Sequence, residues 1–251
     1  MASTGPIRIA AAGDVHIRAE NRDEVAAAFA GLKGDCDAIL VAGDLTTHGE
    51  PDQARMFAEA VQPLHVPTVV VLGNHDLHVD RGGEFRAALE ESGIVVLERE
   101  TTVLELGGLE VGIVGLKGFV GGFAGSNLPD FGERQLREVY ATTSDDVEAL
   151  ERGLREVAQC PFRIVLLHYA PTAETLEGEP VGIWAFLGSD RLGAPIREHA
   201  PDLVLHGHAH AGTFEGTIGD SPVYNVSVPV MRRDFWVFEL TCAERRSSAI
   251  H

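Results

Sequence analysis

An α/β fold with a largely parallel sheet is what the sequence predicts, and three observations predict it. Short apolar runs recur roughly every thirty residues, each run ends in a polar turn, and a helical stretch follows most turns. Ile7–Ala12 is the first run. It is closed by Gly13-Asp14-Val15-His16, with a helix expected from about Asn21 to Lys33. Ala38–Ala42 follows, ended by Gly43-Asp44, with a helix over Pro51–Val61. Val69–Leu72 is the third, ended by Gly73-Asn74-His75-Asp76, with a helix over Glu84–Ser92. Asp14, Asp44 and Asn74 repeat the same period. Parallel strands joined by helices present their carboxyl ends along one edge of the sheet, where ligands bind.

The middle of the chain changes character. Thr101–Leu106 and Leu109–Gly115 read as a hairpin turning at Gly107-Gly108. A glycine- and phenylalanine-rich loop, Lys117–Phe131, precedes a helix from about Gly132 to Gln159. Strands return at Ile164–Leu167, Leu203–His206, Thr213–Thr217, Pro222–Val226 and Phe235–Leu240, and a second, mixed sheet packed on the first accommodates them. No internal repeat or linker divides the chain, so residues 1–251 read as one domain.

Composition narrows the function classes. The net charge of −18 repels phosphate backbones and anionic lipid heads, which argues against docking on nucleic acid or membrane. No apolar run approaches the ~20 residues needed to span a bilayer. Cys36, Cys160 and Cys242 are odd in number and widely spaced, without a CxxC pair, so no disulfide framework is expected. The opening MASTGPIRIAAAGDV has no basic stretch ahead of an apolar one, and cytoplasm is the expected compartment.

The chemistry collects at the turns. Asp14-x-His16, Asp44, Asn74-His75, His168 and His208-x-His210 each follow a strand-like run, and rigid strand ends can place ligands to within a few tenths of an ångström. Taken singly, either aspartate reads as a turn or helix cap, and His16 or His168 as a hydrogen-bonded core histidine. Together, two carboxylates, one carboxamide and four imidazoles form a mixed nitrogen and oxygen set. Such a set suits Mn, Fe, Zn or Co better than Mg or Ca. Seven ligands exceed one ion but serve two if a carboxylate bridges.

The series D14-x-H16, G43-D44, G73-N74-H75-D76, H168 and G207-H208-A209-H210, spanning residues 13 to 210 in order, resembles the calcineurin-like metallophosphoesterase superfamily. The resemblance implies a four-layer α-β-β-α sandwich, two mixed sheets flanked by helices, with two divalent metal ions at one edge (Mn or Fe first, Zn or Co next). It implies that Asp14, His16 and His210 hold one ion, that Asn74, His168 and His208 hold the other, and that Asp44 bridges. His75 matches the family's non-ligand histidine, which contacts the phosphoryl group or protonates the leaving group. The implied activity is hydrolysis of a small phosphodiester or phosphomonoester, a nucleotide among them, by in-line attack of a metal-bridging hydroxide. Two divalent ions against two carboxylates leave the site near +2, which explains how an acidic protein attracts a phosphate anion.

Departures locate the chain within that superfamily. Its protein phosphatases carry GDxxDRG, whereas this chain reads Gly43-Asp44-Leu45-Thr46-Thr47-His48-Gly49 and lacks both the second aspartate and the phosphate-gripping arginine. Thr47 stands where purple acid phosphatases place a tyrosine, and Gly73-Asn74-His75 replaces the Gly-Asn-Arg of lipid A-type pyrophosphatases. What remains is similar to the small bacterial phosphodiesterase-like branch. A non-catalytic binding module, like the phosphoesterase-like retromer subunit, usually loses motif histidines that are retained here. A nuclease wants a basic groove that a charge of −18 does not suggest.

Other residues divide as follows. Asp76 is expected to cap the following segment or to bond a ligand histidine. His48 and His78 read as surface residues and His206 as structural, pointing away from the ligands, while His65, His199 and His251 carry no signal. Phe119, Phe123, Trp184 and Phe186 either roof the pocket or pin their own loops. The insertion over 169–189 is tied to no substrate.

Overall fold

The computed structural model describes residues 5–241; Cys242 and His251 lie outside them. The first half winds through β1 (Ile7–Ala12), α1 (Arg22–Ala30), β2 (Ala38–Ala42), α2 (Pro51–Val61), β3 (Thr68–Val71), α3 (Gly82–Glu90) and the short β4 (Val95–Val96). A hairpin of β5 (Glu100–Leu106) and β6 (Leu109–Gly115) follows, then a ribbon of β7 (Gly122–Phe123) and β8 (Ser126–Asn127), then the long α4 (Arg134–Glu156). The last third holds β9 (Phe162–Leu166), α5 (Trp184–Leu187), α6 (Gly193–His199), β10 (Leu203–His206), β11 (Glu215–Ile218), β12 (Ser221–Asn225), α7 (Val228–Met231) and β13 (Trp236–Leu240).

These strands form two main sheets. The first runs β13-β1-β2-β3-β4, parallel except for β13, and the second runs β11-β12-β10-β9-β6-β5 with parallel pairs at its centre. Every residue of β2 and β3 is buried, because a central parallel strand is covered on both faces; their continuous apolar sequences follow from that. Within β2, Ile39 and Val41 pack under the helices with Phe29, Phe57 and Phe85, whereas Ala38, Leu40 and Ala42 face the second sheet. There they meet Val111, Ile113, Ile164, Leu166 and Leu205. On the far side, Leu150, Leu154 and Ile196 of α4 and α6 cover Val165 and Val204. The result is the four-layer α-β-β-α sandwich that the resemblance implied.

The differences have local causes. Helix α1 stops at Ala30, three residues early, because a tight turn runs from Gly31 into Gly34, which adopts φ +84. The glycine-rich loop contains the β7–β8 ribbon. The insertion over 169–189 is not featureless: it holds helical turns at Glu174–Leu176 and Val181–Ile183 and the one-turn α5. Both α6 and α7 escaped the reading. Helix α6 spans only seven residues (GAPIREH), and α7 is a single turn whose β-branched VPVM sequence imitates a strand until Pro229 sets its first turn.

Phe57 is fully buried and meets Phe29 edge to face at 5.5 Å. Phe57→Ala is expected to lower unfolding stability by about 3–5 kcal/mol, read as a lower urea midpoint at unchanged slope.

Candidate metal centre

Each predicted ligand lies just past the carboxyl end of a parallel strand: Asp14 and His16 after β1, Asp44 after β2, Asn74 after β3, His168 after β9, His208 and His210 after β10. The two stacked sheets bring these ends together. Asp14, His16 and His210 place one donor atom each within 4.8 Å of one another, as do Asp44, His168 and His208. Asp44 lies between the groups. Its oxygens are 3.9 Å from His16 Nε2, 3.5 Å from His168 Nε2 and 4.0 Å from His75 Nε2. Asn74 Oδ1 is 2.9 Å from His168 Nε2, and the His16 and His75 rings are 4.7 Å apart. All seven expected ligands and His75 therefore converge.

The backbone is contorted to achieve this. Asp14, His16, Asp44 and His208 adopt φ of 58, 48, 50 and 67, a left-handed conformation uncommon outside glycine and costly at about 1–3 kcal/mol per residue. Hydrogen bonds hold the turns there: Asp14 N–H donates to Gly43 O (3.0 Å), His16 N–H to Asp44 O (3.0 Å), His75 N–H to Asp44 Oδ1 (2.8 Å) and His208 N–H to Asp14 Oδ2 (2.9 Å). Two glycines are obligatory. A Cβ at Gly43 would lie 2.5 Å from His168 Nδ1, and one at Gly73 would lie 2.0 Å from Asp44 Oδ1.

Asp76 corrects the sequence reading. Its fully buried carboxylate neither caps the next segment nor touches a ligand histidine. It accepts from Leu45 N–H, Thr46 N–H, the Thr46 hydroxyl and Gly73 N–H, at 2.8–3.1 Å, and so staples the Asp44 turn to the Asn74 turn. Burial and the nearby Asp44 charge push its carboxyl up to about 7, against the pull of these donors.

Outer hydrogen bonds set the imidazole tautomers. His168 Nδ1–H donates to Ala42 O (2.9 Å), His75 Nδ1–H to Thr47 O (2.8 Å) and His208 Nε2–H to Phe186 O (3.2 Å). A carbonyl only accepts, so the remaining nitrogen of each neutral ring keeps a lone pair. Burial drives His168 down to about 4 and His208 down to about 3, so both are neutral near pH 7. His168 Nε2 then points a lone pair at Asn74 Oδ1 and Asp44 Oδ1 with no proton between them. Convergent acceptors of this kind fit a divalent cation and repel one another without it.

The carboxylates divide sharply. Burial pushes Asp44 up to about 6, helped by the charge of Asp14. Burial acts on Asp14 in the same sense, but its hydrogen bond from His210 Nε2 (2.8 Å) and the charges of His168 and His210 outweigh it and hold the carboxyl well below the usual range. The same bond raises His210.

Other histidines and aromatics fall into place. His206 is fully buried and spends its ring on Gly207 O and the Thr175 hydroxyl, both at 2.8 Å, as a structural residue. His48 and His78 are exposed. Phe123 packs edge to face on Trp184, whose Nε1–H donates to Glu179 O, so these two pin their own loops. Phe186 is 57% exposed beside His208, and Phe119 meets Tyr169. Sequence reasoning missed Tyr169 and Lys117. Tyr169 stacks 4.4 Å from His208 and 5.4 Å from His168. Lys117 holds the His168 and Tyr169 amides on its carbonyl. The place of Lys117 beside His168 follows from the β6–β9 register, which no local sequence signal carries.

Two imidazole–carboxylate clusters where stacked sheets meet define an α/β protein with the metallo-dependent phosphatase fold and candidate metal-binding groups. The family model described as calcineurin-like phosphoesterase matches residues 7–212, and the chain belongs to that family. Solved structures of similar fold include the TT1561 protein of Thermus thermophilus, at 19% identity and TM-score 0.59 over 94% of this chain and all of that one. A putative 5'-nucleotidase from Staphylococcus aureus, in complex with alpha-ketoglutarate, matches at 14% and 0.59 over 93% of this chain and 53% of its own. GAP50, the anchor in the inner membrane complex of Plasmodium, matches at 13% and 0.58 over 90% and 72%. No curated protein sequence matches the chain. Among the described residues, no helix is long and apolar enough to cross a membrane.

Two buried imidazoles and one half-buried one set an acid response. His168, His206 and His208 are all held below the ordinary histidine range, so the folded chain binds fewer protons than the unfolded one between about pH 6.5 and pH 4. Their contribution is present above about pH 6.5 and lost as pH falls towards 4. Asp44 and Asp76, both raised, act oppositely and offset part of it. The urea midpoint of chelator-treated protein is therefore expected to be lower at pH 5 than at pH 7.

Proposed function

We propose that this chain is a metal-dependent phosphoester hydrolase acting on a small phosphodiester or phosphomonoester, a nucleotide among the candidates. The observation that carries the reading is the meeting of His168 Nε2, Asn74 Oδ1 and Asp44 Oδ1 as acceptors without a shared proton. In this reading Asp14, His16 and His210 hold one divalent cation, Asn74, His168 and His208 hold a second, and Asp44 serves both. Manganese or iron is the first choice for the mixed donor set, zinc or cobalt the next. When bound, such a pair lowers the pKa of water and neutralises charge building on the phosphoryl oxygens.

The side chains contribute the rest. His75 is fixed by Nδ1–H to Thr47 O, which leaves Nε2 facing the cluster from a side chain 43% exposed and open to substrate. With Nδ1–H committed to Thr47 O, Nε2 can donate to the leaving oxygen when the ring is in its imidazolium form. The Phe186 and Ala42 carbonyls fix the His208 and His168 rings, so the cations would find pre-oriented donors. The acidic surface leaves a small anion, not a nucleic acid or a membrane, as the expected partner. Free, buried Cys36 and Cys160 fit a cytoplasmic address. The neighbour described as an anchor makes binding without turnover the competing reading; the intact donor set favours hydrolysis.

Protein reconstituted with Mn²⁺ is expected to bind about two ions and to turn over bis-p-nitrophenyl phosphate or p-nitrophenyl phosphate, with Asp44→Ala inactive. Less than about one metal per chain, or equal rates in wild type and variant, overturns the reading. His75→Ala is expected to retain its metal by elemental analysis while turnover falls about 10²–10⁴-fold. Loss of metal in step with rate would make His75 a ligand instead.

A further inference from the structure

Lys117 is one of only two lysines in the chain, the other being Lys33, amid a cationic complement that is otherwise arginine. It stands two residues past β6, whose register with β9 pairs Gly115 with Leu166. Val111 and Ile113 face the space between the sheets, as do Ile164 and Leu166, so alternation carries Lys117 and His168 to the same face. The Lys117 carbonyl receives the His168 N–H at 3.0 Å, which fixes the two residues side by side.

The ammonium is under-used. A lysine offers three donors, and here one reaches the Gly118 carbonyl at 3.1 Å. Among the described residues no carboxylate lies within ion-pair distance of it. Asp146, the acidic group that influences it most, is already held by Arg99 Nε at 2.6 Å. The Phe119 and Tyr169 rings cradle Nζ at 4.5 and 4.8 Å, which recovers only part of the cost of withdrawing a cation from water. The Tyr169 ring in turn lies 4.4 Å from that of His208. A donor-rich cation thus stands about one aromatic ring away from the candidate metal-binding groups.

We propose that Lys117 is a specificity-determining residue that binds a second anionic group of the substrate, so that the site selects phosphate esters carrying a further carboxylate or phosphate. The proposal rests on the hydrolase reading above and names the substrate class of that same site. A half-buried ammonium meeting an anion through one or two charged hydrogen bonds is worth roughly a tenfold preference.

Phenyl phosphate and 4-carboxyphenyl phosphate differ only in a carboxylate one ring from the phosphoryl group. With Mn²⁺-loaded protein, kcat/KM is expected to favour the carboxylated ester roughly tenfold, carried mainly by KM, and Lys117→Met is expected to erase that ratio. Lys117→Arg, which keeps the charge, should restore part of it and serves if the methionine variant does not fold. Calorimetric binding of phenylphosphonate and 4-carboxyphenylphosphonate gives the same comparison without turnover. A ratio unchanged by Lys117→Met, or no preference in wild type, overturns the assignment. If wild type hydrolyses neither ester while the phosphonates still show a Lys117-dependent preference, the hydrolase reading fails and the anion site stands.

Discussion

Two buried carboxylates at the junction of two sheets set the terms for everything around them. Asp14 and Asp44 are almost wholly withdrawn from water, and the charge of Asp14 is one of the two forces that make Asp44 hard to ionise. Left alone, such a pair is a liability of several kcal/mol. Its surroundings are organised to support it: backbone amides of His75 and His208 point at its oxygens, and imidazoles surround it. An electropositive partner at the centre of the cluster would turn repulsion into cohesion, which fits the donor set to a candidate cation site.

The same demand explains the glycines and the left-handed residues. Gly43 and Gly73 are places where a ligand of one turn is pressed against the backbone of another, so no methyl group fits. Four candidate ligand residues, Asp14, His16, Asp44 and His208, bear left-handed dihedrals just past the strand ends. Asp76, with four donors on its carboxylate, ties the Asp44 turn to the Asn74 turn. The stored strain is tolerable because Phe29, Phe57 and Phe85 on one face, and the inter-sheet core on the other, fix β1, β2 and β3 beneath it.

Much of this was legible in the order of the residues alone. The period of Asp14, Asp44 and Asn74 comes from repeated strand–helix units, and short apolar runs alternating with helical stretches fit strands buried in a parallel sheet. What stayed hidden was set by tertiary contact. Nothing local to Asp76 says that its partners are amides of Leu45 and Thr46, about thirty positions upstream. Lys117 was unremarkable as the opening residue of a glycine-rich loop; its meaning comes from lying beside His168, some fifty positions away, through a register that only the folded sheet defines. Short helices such as α7 were lost because one turn carries too little periodicity to outweigh β-branched residues.

Strand β13 joins the first sheet beside β1, antiparallel, although more than two hundred residues separate them. During synthesis β1 through β4 emerge early, yet one flank of β1 offers bare amides and carbonyls until Trp236–Leu240 leaves the ribosome. An open parallel edge of that kind is sticky. The nascent chain must therefore shield Ile7–Ala12 while all the intervening strands are made, and β13 is the seal that ends that exposure.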